Sequence, residues 1–212
     1  LTPRYQAVIS AEIAGKITIL NFREGERFQN GKKLAEIKCA QHKARYDKAN
    51  AELTITIRQH QANLRLMELK SIGSHEVDIA QANVSKARAD VAFWKDVKTK
   101  CVIIAPFSGR VAKLHVHEHE YVAEGDKLMK IVDDHNLEIE LLVPSDWQTW
   151  LKPGLGFNIN IDETSKDYPA EVSMTGAQID PVSQSFKVIG KIKGHFPELL
   201  PGMSGSVIFL DR

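Results

Sequence analysis

A chain of 212 residues with 28 Lys and Arg against 27 Asp and Glu carries a formal charge of +1, and that balance excludes the concentrated basic face on which nucleic-acid binding depends. The length exceeds one domain of about 150 residues, so two or three small modules are expected. No apolar run approaches the roughly 18 to 20 residues that span a bilayer, and with only two cysteines and no C-x-x-C spacing a structural zinc site is excluded as well.

Residues 3 to 13 alternate apolar and polar positions as a strand does, and residues 1–11 are assigned with the C-terminal part of the chain to a β-barrel. Next comes half of an internal repeat. Residues 15 to 37 lie over 109 to 131 without a gap, so that Gly15 meets Gly109, Ile17 meets Val111, Leu20 meets Leu114, Glu24 meets Glu118, Glu26 meets Glu120, Gly31 meets Gly125, Leu34 meets Leu128 and Ile37 meets Ile131. Each copy alternates in period two and breaks at a glycine or charged pair, the pattern of short strands and tight turns. One copy alone would expose its apolar face, so 12–38 and 102–132 are expected to pack as the two halves of one β-sandwich.

Between the copies, residues 39–101 are rich in Ala, Lys, Gln and Glu and hold a single glycine, Gly73. Val77, Ala80, Val84, Ala87, Val91 and Trp94 step by 3 and 4, a coiled-coil seam. Tyr46, Ala49, Leu53, Ile57, His60, Leu64 and Met67 form a looser one. The segment Ser71-Ile72-Gly73-Ser74 supplies the turn, with Gly73 expected at positive φ and Ser74 expected to cap the second helix. About 30 residues per helix make a rod of roughly 45 Å, far more than is needed to join two halves of a sandwich. The basic residues of the first helix, Lys43, Arg45, Lys48, Arg58 and Arg65, either solvate its outer face or make a charge-guided contact with a partner, for which Arg65 and the nearby Lys70 are the candidates. Cys39 and Cys101 flank this hairpin; either they join as a disulfide pinning its base, or they stand as two buried thiols at a non-bonding distance.

In the second copy His115, His117 and His119 alternate, which on a strand puts three imidazoles on one face. Such a face either binds a soft or borderline metal with help from a neighbouring strand, or is a solvated strand running to a turn; His119 matches Gly25 of the first copy, a turn position. Beyond Asp133, residues 137–141 and 157–161 are period-two strands, with further strands expected at 168–176, 185–193 and 203–210. Ser145 is expected to open a short helix through Leu151 with Trp147 and Trp150 on one face. Several short strands and one small helix predict a closed barrel over 133–212.

The order of these pieces resembles the periplasmic adaptor family, also called membrane fusion or HlyD-like proteins. The resemblance rests on Ile104-Ala105-Pro106-Phe107-Ser108-Gly109-Arg110-Val111, on Ser74 followed by Glu76, Asp78 and Ala80, and on Leu200-Pro201-Gly202-Met203. It implies a mixed α and β multidomain fold: a lipoyl-like β-sandwich split by an antiparallel α-helical coiled-coil hairpin, plus a small antiparallel β-barrel. It implies a non-enzymatic periplasmic subunit linking an inner-membrane transporter, of RND or ABC type, to an outer-membrane TolC-like channel. Self-association into a ring, a hexamer or a trimer of dimers, goes with it, as does a membrane anchor outside this sequence. The docking tip would comprise Asn63, Arg65, Met67, Lys70, Ser71, Gly73 and Ser74. Asn63 and Met67 stand where duct-docking adaptors often have arginine and leucine. The family's membrane-proximal domain is expected to be absent or truncated.

Two other classes share features with this sequence. A lipoyl or biotinyl carrier uses the same half-motifs, but its modified lysine falls on Gln41, whose amide cannot form that link. A metal-binding or heavy-metal export role would use His115, His117 and His119. No cofactor is expected. For catalysis, Ser204 in Gly202-Met203-Ser204-Gly205-Ser206 lacks the glycine pattern of a nucleophile elbow and reads as part of a barrel strand.

Overall fold

The computed structural model describes residues 1–194 and 196–209. Two four-stranded antiparallel sheets form the first body. One runs β2 (Gln6–Ser10), β9 (Lys127–Val132), β7 (Gly109–Leu114), β4 (Arg27–Phe28); the other runs β6 (Val102–Ile104), β5 (Lys33–Ile37), β3 (Gly15–Leu20), β8 (Tyr121–Val122). Inward positions of the alternation, including Ile17, Leu34, Ile37, Val111, Leu128 and Ile131, are buried within this body.

The two repeat copies exchange strands. β4 of the first copy pairs with β7 of the second, and β8 of the second pairs with β3 of the first. Backbone bonds obey the same two-fold relation: the Gly25 N–H donates to the Val111 carbonyl and the Val111 N–H to Glu26, while the His119 N–H donates to Ile17 and the Ile17 N–H to Glu120. Even the repeated glutamates act across the divide. Glu118 Oε1 accepts from the Leu20 N–H at 2.9 Å, and Glu24 Oε1 from the Leu114 N–H at 2.7 Å. Each half thus satisfies buried backbone donors of the other, so neither is complete alone.

This symmetry reaches further back than residue 15. Ala11 exchanges hydrogen bonds with Gly125 and Asp126, as Ala105 does with Gly31 and Lys32, which makes β2 the counterpart of β6. Of the segment 1–11 assigned to the barrel, only β1 (Thr2–Pro3) therefore joins the second sheet; β2 pairs with β9 instead. Its alternation fits any half-buried sheet edge, and only the pairing chooses which.

His119 holds φ 72, the left-handed turn conformation that Gly25 adopts at φ 84 in the first copy. A Cβ makes that conformation costly by about 1 kcal/mol. Accordingly His119→Gly should stabilise the protein by about 1 kcal/mol in urea unfolding; an unchanged or lowered midpoint would show that the imidazole compensates the strain.

Between the half-motifs, α1 (Ala40–Glu68) and α2 (Ser74–Thr99) pack antiparallel. At 29 residues α1 is about 44 Å long. On α2 the expected seam residues Val77, Ala80, Val84 and Ala87 are buried, whereas on α1 only Ala49 is. A two-helix rod covers one flank of each helix, and the larger α1 side chains reach past that cover.

A second body follows. Six antiparallel strands run β1, β10 (Leu137–Pro144), β13 (Ser185–Ile192), β12 (Lys166–Asp180), β11 (Gly156–Ile161), β14 (Gly205–Phe209). The strand expected over 203–210 thus appears at Gly205–Phe209, residue 210 lying outside the described residues. The short helix expected from Ser145 to Leu151 is a 3-10 turn over Ser145–Thr149. Trp147 within it and Trp150 just after it meet the Phe209 ring edge-on at 5.6 and 5.5 Å, against a core of Ile139, Phe157, Tyr168, Phe186 and Val188. The Gly202 N–H donates to the Leu1 carbonyl at 2.9 Å, which draws the two margins of the sheet together.

Candidate functional site

The hairpin leaves and re-enters the sandwich at adjacent points. Cys39 directly precedes α1, Cys101 follows α2 by two residues, and the two are joined as a disulfide with Cα atoms 5.9 Å apart. Cys101 is buried in the sandwich core beside Val97 of α2, so rod and sandwich share packing as well as a covalent link. One turn up, the Arg45 guanidinium lies 4.9 Å from the Trp94 ring centroid and Lys98 Nζ 4.7 Å from that of Tyr46, cation–π contacts that tie the helices together.

At the far end, α1 closes with paired bonds from the Ser71 N–H to the Leu66 carbonyl and from the Lys70 N–H to the Met67 carbonyl. That is a Schellman ending, with its left-handed position filled by Lys70 at φ 56. The expected roles of Gly73 and Ser74 are corrected here: Gly73 is extended at φ −87 and is itself the cap residue, and Ser74 is the first residue of α2 with no capping bond. Once Lys70 has reversed the chain, nothing further requires a positive φ.

Asn63 Nδ2 donates to the Glu76 carbonyl at 3.2 Å, and Gln59 Nε2 to Asn63 Oδ1 at 2.9 Å. Asn63 therefore locks the register of the two helices, and Met67 is half-buried in their seam. Arg65, Lys70, Ser71, Gly73 and Ser74 are exposed. They share the tip with three apolar side chains that the sequence reading passed over, Leu66, Leu69 and Ile79; Leu69 is 73% exposed. Isolated apolar side chains on a surface are ordinary; here three lie near one end of the rod.

The family model for the RND membrane fusion protein barrel-sandwich hybrid domain matches residues 5–144. The chain belongs to that family. Among curated relatives of this membrane fusion protein, the multidrug efflux pump subunit AcrA of Escherichia coli K12 is 29% identical over an alignment of 136 positions that covers 56% of this chain. This chain spans about a third of the length of such relatives, 34% of AcrA. Solved structures agree on the fold. A MacA–MexA chimera carrying the Pseudomonas aeruginosa MexA α-hairpin domain superposes with a TM-score of 0.80 at 23% identity, covering 95% of this chain and 76% of the chimera. The membrane fusion protein Spr0693 of Streptococcus pneumoniae R6 gives 0.81 at 14% identity, covering 100% and 96%.

The histidines of this membrane fusion protein do not form the face their spacing suggested. β7 ends at Leu114, so His115, His117 and His119 lie beyond the strand. Val116 turns into the core, His119 sits in the turn, and His117 Nδ1 is 3.7 Å from Glu120. Among the described residues, no group of three or more His, Cys, Asp or Glu side chains is placed to hold a metal ion. Alternation predicts a common face only while the chain stays extended. Gln41 lies in the first turn of α1, and no helix among the described residues is long and apolar enough to cross a membrane.

A second constellation escaped the sequence entirely. Asp134, on the crossing from the sandwich to the second sheet, accepts through Oδ2 from Arg27 Nε at 2.9 Å and Arg110 Nε at 3.1 Å. The two arginines come from different repeat copies and stand directly opposite each other in the β4–β7 ladder. Burial pushes the Asp134 carboxyl upward, but the hydrogen bonds and charge of Arg27, with help from His135 and Arg110, outweigh it and hold the group below its ordinary value. One carboxylate thus joins an arginine of each repeat copy where the chain leaves the sandwich.

Proposed function

We propose that this chain is the adaptor of a tripartite export assembly. The sandwich, read as lipoyl-like, and the second sheet, read as a small barrel, pack against an inner-membrane transporter of RND or ABC type and against sister copies in a ring, a hexamer or a trimer of dimers. The hairpin holds an outer-membrane channel of the TolC type. The observation that carries this reading is the rod: about 44 Å of helix, covalently pinned at its base and bearing Leu66, Leu69 and Ile79 at its free end. Membership of the fusion-protein family supports it, as does likeness to a multidrug efflux pump subunit. Work in the periplasm, with the anchor outside this sequence, suits a disulfide, because that compartment is oxidising. The role is mechanical; no bond is made or broken by this chain, and the transporter supplies the energy.

Photo-crosslinking in cells tests the reading. A benzophenone side chain placed at Leu69 should capture an outer-membrane channel, while the same probe at Tyr121, exposed on the sandwich, should not. Channel adducts at both positions, or at neither while the variants accumulate normally, would overturn the bridging role.

A further inference from the structure

At the joint between the two β bodies lies a cavity of about 310 Å³, near the lower end of the range of small-molecule sites, about 300–1,000 Å³. It opens where the two chain crossings, at Arg4 and at Asp134 to Asn136, meet β10, β12 and β13. Met174 and Phe196 give it an apolar side, with Ile192 and Leu199 of the core behind them. Met174 is 52% exposed there, an apolar side chain left uncovered on the sheet.

The rim is charged. Arg4 and Lys191 both line the cavity; the Arg4 guanidinium lies 5.5 Å from the Tyr5 ring centroid, which leaves its N–H groups open to an anion. Glu138, the cross-strand neighbour of Lys191, adds one carboxylate, while Asp134 is already engaged by Arg27 and Arg110. With Asp134 so engaged, two exposed cations face one further carboxylate, a rim that suits a single negative charge, and Met174 and Phe196 beside it offer a short apolar contact. We infer that this joint is a binding site for a small amphipathic monoanion, with its carboxylate between Arg4 and Lys191 and its alkyl body against Met174 and Phe196. Charge-assisted hydrogen bonds from the two cations orient the head group, and partial burial of the tail against Met174 and Phe196 adds to the affinity.

Isothermal titration of the whole chain with decanoate below its micelle concentration, beside decylammonium and decanol, is the test. Decanoate should bind one to one and more tightly than either comparison ligand. The double variant Arg4→Gln with Lys191→Gln should weaken it by about tenfold or more, equivalent to about 1.4 kcal/mol. Met174→Glu, at a position 52% exposed, should weaken it similarly by placing a like charge in the wall and decides the matter if the double variant fails to fold. No decanoate binding, equal binding of decylammonium, or an affinity that survives Met174→Glu would overturn the site.

Discussion

Removing the Cys39–Cys101 bond should lower the stability of the oxidised protein by about 4 kcal/mol, the loop-closure entropy of a crosslink between residues 62 apart in sequence. The loss should be visible in guanidinium unfolding followed by far-ultraviolet dichroism, whether the bond is reduced chemically or replaced by Cys39→Ser with Cys101→Ala. Comparing the two isolates the bond from the packing, because the reduced wild type keeps both sulfurs and Cys101 is buried among Val97, Val116 and Ile37. The chemically reduced protein should fall nearly as far as the double variant, the remainder being the small void left at Cys101. Equal midpoints for oxidised and reduced protein would mean that the unfolded chain is not restrained by the crosslink.

Asp134 should be the most costly single surface-to-joint charge to remove. Its side chain is 1% exposed, while those of Arg27 and Arg110 are 47% and 31% exposed. Asp134→Ala leaves two guanidiniums face to face across a ladder and takes away two charge-assisted bonds; a loss of about 3 kcal/mol follows, at the low end for a broken buried pair because water reaches both arginines. The pH dependence has a definite sign. The folded-state pKa is depressed below the ordinary value of 3.8, so the folded protein binds fewer protons, and the stabilisation is complete above that value and lost as the pH falls through the folded pKa. The gap between the wild type and Asp134→Asn should therefore be widest near neutrality and should close as acid is added below about pH 4. A gap independent of pH would assign the effect to shape rather than charge.

Much of this architecture was legible before folding because it is local or periodic. Period-two alternation located the strands, the 3-and-4 steps from Val77 to Trp94 located the buried seam of α2, and the unbroken match of 15–37 with 109–131 announced a paired sandwich. That match also contained Glu24 and Glu118 and Glu26 and Glu120, whose recurrence had no evident reason until the structure showed them accepting backbone N–H groups. Where the reading failed, a local rule was carried past the point at which the chain turned. The three histidines alternate in sequence, but the strand stops at Leu114. Residue type points to Gly73 for the turn, while Lys70 makes the reversal. Residues 6–10 look like any edge strand, and alternation carries no information about which sheet accepts it.

By itself, then, the amino-acid order determined the element types, the duplication and the projecting two-helix insertion, since each follows from interactions among residues near in sequence or from a pattern repeated along it. Tertiary structure alone decided that the half-motifs swap strands, that Asp134 gathers an arginine from each, that Cys39 and Cys101 meet, and that Leu66, Leu69 and Ile79 share one exposed tip. Those outcomes depend on which distant segments become neighbours, and proximity in space is settled by the packing of the whole chain rather than by any stretch of it.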